Sequence, residues 1–448
     1  MNIALAHFRV GETDGVSLEM EKWRKVLERM GHRVIFISGT PNYGEVCIPE
    51  MDLHSELFEK HKRNSYERLE DYKSEEDFRR DILKYADIIE KKLNEVVERE
   101  KIDLIIPNNI FSLGVGLPIA IAFHRVIKKK GLKVIGHHHD FYWERENLSH
   151  PTCDFVRECL DKYFPPLDVP MVHVVINKIA QKELKKRKGV DSIVVPNVLD
   201  FEQPLWVYDD FNKDLRERIG LNANDIVVLQ ATRVTERKAI EISIEFVGEL
   251  QRRRGKLHGI LYDGRNFSKD DRIVLLMPGL IETGNEYVEF LKEVAKHEGV
   301  EILWINSMID AKRSTKDGEK KYSLWDTYVV SDIITYPSVI EGWGNQFLEG
   351  IFAKKPLVIF EYPVYKTDIK DLGFEVISLG DVFEARKSGK YVSIPKEAIV
   401  RAVEEAISIL KDGKAYKKIV EKNFELGKKY FSYRTLESIL SDIIKNVP

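Results

Sequence analysis

Short apolar runs alternate with amphipathic stretches along the whole chain, and this alternation predicts βα units around parallel sheets. In the first half the apolar runs are Ile3–Ala6, Val34–Ile37, Leu104–Pro107, Val134–Gly136, Val172–Ile176 and Ile193–Val195. Between the first two lies a stretch with Val16, Met20, Trp23, Leu27 and Met30 at helical spacing, closed by Gly31. A second series runs through Ile226–Leu229, Leu257–Tyr262, Ile273–Met277, Glu301–Ile305, Ile333–Tyr336 and Leu357–Phe360. The two series meet at Pro196-Asn197-Val198-Leu199-Asp200-Phe201-Glu202-Gln203-Pro204, a polar stretch bounded by prolines that reads as an interdomain linker. The division expected is therefore a domain over 1–204, a second over 205–432 and a final helix over 433–448. Residues 42–100 are long, charged and helical in pattern, and are read as an insertion or lid on the first domain. The charged stretch Asp310–Lys321 reads as a mobile loop.

A chain of 448 residues is too long for one compact core. Its 70 basic and 73 acidic residues leave a net charge of −3, so no basic excess points to nucleic acid. Charged residues reach 32%, mostly Lys and Glu, a thermophile-like surplus. No apolar run approaches the roughly 20 residues that span a bilayer, and the amino terminus lacks the pattern of a signal peptide. Cys47, Cys153 and Cys159 are scattered without metal-type spacing, which fits a reducing cytoplasm.

The chemistry concentrates after the strands. Tyr336-Pro337-Ser338-Val339-Ile340-Glu341-Gly342-Trp343-Gly344-Asn345-Gln346-Phe347-Leu348-Glu349 leaves a strand, turns through two glycines and enters a helix. Glu341 thus sits at a strand's carboxyl end and Glu349 in the next helix, in the crevice where open α/β sheets bind ligands. The amides of Gly342, Trp343, Gly344 and Asn345 are placed to face a ligand, because glycine lets backbone approach closely. The two carboxylates are spaced to accept hydrogen bonds from separate hydroxyl groups, as on the hexose and ribose of a nucleotide sugar. Ala231-Thr232-Arg233-Val234-Thr235-Glu236-Arg237-Lys238 follows the first strand of the second series. There Arg233 and Lys238 suit a diphosphate, a planar fork and a point charge beside a helix start. Arg237, next to Lys238, offers an alternative. Gly136-His137-His138-His139-Asp140 ends another strand. Side chains alternate along a strand, so only His137 and His139 share a face, and nothing is spaced to complete a metal site. Gly15 lies in the first βα turn, Gly279 follows Pro278, and Ser307 follows Asn306, each beyond a strand.

Taken in order, these segments resemble family 4 of the retaining glycosyltransferases. The match rests on Gly15 in the first turn, His139-Asp140, Pro196-Asn197 with Asp200, Arg233 with Lys238, and Glu341 with Glu349 in an E-x7-E motif. The first turn departs from the family's paired glycines, since Asp14 precedes Gly15. The resemblance implies a GT-B fold, two Rossmann-like domains facing each other across a cleft, with the last helix crossing back to the first. It implies transfer of a hexose from a nucleoside diphosphate sugar, with retention, to a hydroxyl of a small soluble acceptor such as a sugar phosphate or a glycerate-type compatible solute. His139, Arg233, Lys238 and Glu341 would be catalytic. Gly15, Gly279, Ser307, Gly342, Trp343, Gly344, Asn345 and Glu349 would bind the donor. No cofactor and no strictly required metal are expected, nor a nucleic-acid or strong membrane partner. The alternatives are another GT-B enzyme, an epimerase or sugar phosphorylase, or a non-catalytic nucleotide-sugar binding protein.

Overall fold

A computed structural model describes residues 1–12, 14–40, 45–316, 318–386, 389 and 391–448. The chain divides into two compact units. The first is Met1–Val198 with Tyr433–Pro448, and the second is Leu199–Ser432.

Unit 1 is built on seven parallel strands: β1 (Asn2–Ala6), β2 (Arg33–Ser38), β3 (Val46–Cys47), β4 (Leu104–Pro107), β5 (Lys133–His138), β6 (Val172–Val175) and β7 (Ile193–Val194). They lie in the order β3-β2-β1-β4-β5-β6-β7. The chain builds outward from β1 on one side, then returns to build on the other. Strand order therefore reverses between β1 and β4, the switch point at which open sheets hold ligands. Helix α1 (Gly15–Arg29) starts where the Asp14 carboxylate accepts the amides of Val16 and Ser17. Its Trp23, Val26 and Leu27 meet Leu436, Leu440 and Ile443 of the terminal helix Tyr433–Asn446 in one apolar cluster on one face of the sheet.

The opposite face is covered by α3 (Glu75–Glu100) and α4 (Leu117–Lys130), after the short helix α2 (Glu56–Tyr66). The expected insertion over 42–100 is helical, but it is no lid. Residues 42–44 lie outside the described residues. Phe78, Ile82, Ala86, Ile89 and Leu93 of α3 recur every three or four positions and are wholly buried in the core that holds Ala4, Ala6 and Phe8. The charges between them occupy the outer face of the same helix.

Unit 2 carries six parallel strands, in the spatial order Glu301–Trp304, Ile273–Met277, Ile226–Leu229, Ile333–Tyr336, Leu357–Ile359, Ile377–Ser378. The reversal now falls between Ile226–Leu229 and Ile333–Tyr336. The expected strand Leu257–Tyr262 does not join this sheet. Only Gly259–Ile260 pairs, with Asn266–Phe267, in a small antiparallel hairpin. Gly259 and Gly264 both take positive φ, which bends this backbone out of the extended conformation a central strand needs. The expected loop Asp310–Lys321 contains a hairpin, Ser314–Lys316 against Glu319–Ser323. Arg313 pins it to Asp326 and, at 2.6 Å, to Asp209; Lys320 pins it to Asp214 at 2.9 Å.

Because α3 supplies core, Ile89→Ala should lower the stability of unit 1 by about 2–5 kcal/mol. Denaturant unfolding measures it. A loss of only a few tenths would mean that α3 is a detachable cover.

Candidate active site

In unit 2 the strand Ile226–Leu229 lies between Ile273–Met277 and Ile333–Tyr336, so the turns following these three strands are neighbours. The first two are laced together. Val234 N donates to Leu280 O at 2.8 Å, and Glu282 N to Val234 O at 3.3 Å. A Cβ on Gly279 would lie 1.8 Å from Thr232 O, so only glycine permits this approach. Arg233 is 35% exposed at the side chain and donates from Nη1 to Glu282 Oε1 at 2.6 Å.

Lys238 ends the short turn Glu236–Lys238, and its ammonium is paired with Glu341 Oε1. Arg237 Nη1 stands 3.7 Å from the other oxygen of Glu341. The Glu341 side chain is only 8% exposed. Burial alone would raise its carboxyl, but Lys238 and Arg237 together hold it below its ordinary value. Burial depresses the Lys238 ammonium, and Glu341 opposes that. Lys238 Nζ also lies 5.8 Å from the centre of the Tyr336 ring. Two residues 103 positions apart in sequence thus form one buried ion pair at the sheet's carboxyl edge.

The third turn is braced from behind. Gly344 has φ +118°, and a Cβ there would lie 2.2 Å from the Tyr362 hydroxyl, which donates to Trp343 O at 2.9 Å. Gly342 is exposed, and Asn345 opens the helix Asn345–Phe352. The donor contact expected of Trp343 is through its amide, and its side chain is turned inward. It is 2% exposed and meets Phe431 edge-on at 4.8 Å, so only its backbone remains available. Glu349, one turn into the helix, accepts from the Tyr328 hydroxyl at 2.6 Å. Burial, then this carboxylate, pushes the Tyr328 phenol well above its ordinary range. Ser307 is exposed in the turn Asn306–Met308 beyond the outermost strand, and its carbonyl accepts from Lys321 Nζ at 2.7 Å.

In unit 1, Gly15 is the first residue of α1, and a Cβ there would meet nothing, so the fold itself does not demand glycine. His139 follows β5 and is 7% exposed. Its Nε2 lies 3.0 Å from Asn108 Oδ1, while the His139 and Asp140 amides donate to Asn109 Oδ1 at 2.7 and 3.1 Å. His137 and His139 do share a face, with ring centres 4.0 Å apart, and Trp23 stacks on His137 at 4.2 Å. His138 turns the other way, 3.1 Å from His173. Among the described residues, no three His, Cys, Asp or Glu gather as a metal site would require. Sequence reasoning missed Asn108, Asn109 and His7. The signal was an Asn pair closing β4, with Asn109 at φ +57°, a left-handed turn that asparagine tolerates. Burial keeps this group of imidazoles neutral. It takes His139 down to about 3, His7 to about 4 and His173 to about 4, and His137 and His138 well below their ordinary value.

Solved glycosyltransferases share this architecture. A glycosyltransferase from Rickettsia africae aligns at TM-score 0.63 with 16% identity, over all of this chain and 98% of that one. A sucrose-phosphate synthase from Thermosynechococcus elongatus aligns at TM-score 0.62 with 11% identity, over 99% and 98%. These likenesses make the fold GT-B: two Rossmann-like units, as the resemblance implied. No family model matches the chain. Two proteins named mannosylglucosylglycerate synthase align along nearly its full length. The one from Petrotoga mobilis is 43% identical over 96% of this chain and 98% of its own, and the one from Thermotoga maritima 42% over 98% and 99%. The chain belongs to the family of these synthases and is a glycosyltransferase. Among the described residues no helix is long and apolar enough to cross a membrane.

Two outcomes follow from the burial of these charges. Glu341→Gln strands a buried ammonium and should cost about 3–5 kcal/mol, while adding Lys238→Met should restore most of it. A double-mutant cycle by denaturant unfolding measures the coupling, and additive costs would mean that the pair is not buried. The neutral histidines set an acid limit. Their folded pKa values lie below the unfolded value near 6.5, so the unfolded chain takes up protons first on acidification. Their contribution is complete above pH 6.5 and is lost as pH falls toward 4, at up to about 1.4 kcal/mol per ring per pH unit. The denaturant midpoint of unit 1 should therefore drop between pH 7.5 and 5.5, and a level midpoint would contradict neutral rings.

Proposed function

We propose that this chain transfers a mannosyl group from a nucleoside diphosphate sugar to a hydroxyl of glucosylglycerate, with retention of configuration. The sugar and the glycerate-type acceptor are taken from the name carried by its full-length relatives. The observation that carries the reading is the cationic edge of unit 2. Arg233, Arg237 and Lys238 converge there on turns that offer exposed backbone at Gly342 and a half-buried carboxylate at Glu349.

In this reading Glu349, held by Tyr328, accepts the ribose hydroxyls. The turns at Gly279 and Ser307 flank the phosphates and the base, and Gly15 keeps the donor-binding role that the resemblance implies for it. The amides of Gly342, Trp343, Gly344 and Asn345 take the hexose and the nearer phosphate. Glu341 accepts from a hexose hydroxyl while fixing Lys238. His139 keeps the catalytic role that the resemblance implies for it. The acceptor oxygen bonds to the anomeric carbon on the face that the diphosphate leaves. The C–O bond to the diphosphate breaks with its electron pair, and the leaving oxygen takes the acceptor's proton. Arg233 and Lys238 stabilise the charge that gathers on that oxygen. Three nearby cations supply this stabilisation, so neither metal nor cofactor is called for.

The test is incubation with a nucleoside diphosphate mannose and glucosylglycerate, with the product followed by mass and by the anomeric coupling in NMR. Transfer with retention should survive EDTA. Arg233→Ala should lower kcat by about 10²–10³-fold with every acceptor, because it acts on the leaving group they share. Loss of activity in EDTA with rescue by a divalent ion would defeat the metal-free reading. Donor turnover without any transfer product would defeat the transferase assignment.

A further inference from the structure

Among the buried groups of unit 1 that the mechanism above leaves unused is His7. His7 follows the end of β1, next to the switch point, and is 4% exposed. Its Nδ1 lies 2.8 Å from Asn108 O. A carbonyl only accepts, so Nδ1 carries the proton and Nε2 presents a lone pair. Nε2 makes no hydrogen bond among the described residues. It is also not among the sealed-off, unsatisfied polar atoms, which do include His137 Nε2 and His138 Nδ1. Asn108 binds both neighbouring rings, His7 through its carbonyl and His139 through its side chain, while its amide nitrogen donates to Ile106 O at 3.0 Å. That last bond fixes Asn108 Oδ1 as the acceptor, so His139 donates from Nε2 and its tautomer is set too. The charged groups close enough to act on His7 are Asp14 and Arg9 in the first turn and Asp140 after β5. Three turns of unit 1 thus converge on the His7 ring.

We propose that His7 Nε2 accepts a hydrogen bond from a sugar hydroxyl of the acceptor substrate, and so selects and orients that substrate on unit 1. The proposal rests on the transferase reading above and adds a residue to it. The ring is a fixed hydrogen-bond acceptor and not a base. Burial holds its pKa near 4, so it stays unprotonated while the diphosphate takes the proton. A sugar hydroxyl suits the site because it donates one hydrogen bond to a neutral lone pair, which an ionised carboxylate, an acceptor only, cannot do.

Two substitutions separate this role from a structural one. The amide nitrogen of Asn overlays Nδ1, so His7→Asn keeps the bond to Asn108 and removes the outward acceptor. The amide of Gln overlays Nε2, so His7→Gln keeps an outward oxygen and loses the inward bond. Transfer is measured with the best acceptor that the wild type uses among glucosylglycerate, glucose and glycerate, alongside donor hydrolysis and thermal stability. His7→Asn should raise the acceptor KM about tenfold or more, with donor KM and donor hydrolysis within about twofold of wild type. His7→Gln should keep the acceptor KM within about threefold. An unchanged KM in His7→Asn overturns the proposal, as does the reverse order of the two variants, or a loss of donor hydrolysis in both. If glucosylglycerate is not the preferred acceptor, the proposed function falls while His7 is still judged on the acceptor found. No transfer to any acceptor overturns both.

Discussion

A parallel strand buried on both faces has little room for polar side chains along its length, and they gather at its carboxyl end. The first strand of each sheet shows this constraint most plainly. Ile3–Ala6 and Ile226–Leu229 are wholly buried, and the polar atoms begin directly after them, at His7 and at Gln230 with Thr232. Each of these first strands is central in its sheet, flanked on one side by the next strand in sequence and on the other by a much later one. Turns distant in sequence are therefore gathered at one edge. Lys238 meets Glu341 in this way in unit 2, and Asn108 meets His7 and His139 in unit 1.

The two units solve the cost of buried polarity differently. Unit 2 compensates charge with charge: Glu341 is held ionised by Lys238 and Arg237, and Arg233 is matched by Glu282. Unit 1 removes charge. Its histidines are neutral rings fixed by amide oxygens and by one another. An anionic group suits the first arrangement and a hydroxyl, which donates to a neutral ring, the second. The surplus of Lys and Glu in the sequence appears mostly elsewhere, in surface pairs such as Lys256 with Glu404, a pattern in keeping with relatives from Thermotoga and Petrotoga.

Strands and turns were legible in the sequence because burial on both faces leaves continuous apolar runs and glycines mark the turns. The E-x7-E segment, the Arg233–Lys238 turn and the His137/His139 face could all be placed on strand ends without coordinates. What was not legible depends on distance in space. Trp343 sits between two glycines of a turn, and nothing in the sequence shows that its ring is buried beside Phe431. Helix α3 looks like a charged appendage because its charges outnumber its apolar stripe, although Phe78, Ile82, Ala86 and Ile89 keep the helical period. Leu257–Tyr262 has the composition of a strand, but Gly259 and Gly264 bend it away. Asn108 and Asn109 carry no motif, and only the closeness of β1, β4 and β5 shows what they hold.

The terminal helix has a consequence for how the protein is made. Leu436, Leu440 and Ile443 complete the cluster around Trp23 and Val26, so unit 1, begun before unit 2, cannot complete this cluster until the helix that follows unit 2 has been synthesised. Unit 2 is continuous and can fold as soon as it emerges. During translation, then, the order of completion is the reverse of the order of synthesis, and a chain stopped shortly before Tyr433 would carry a finished unit 2 and an open apolar face on unit 1. That face is the surface a chaperone would meet on every incomplete copy.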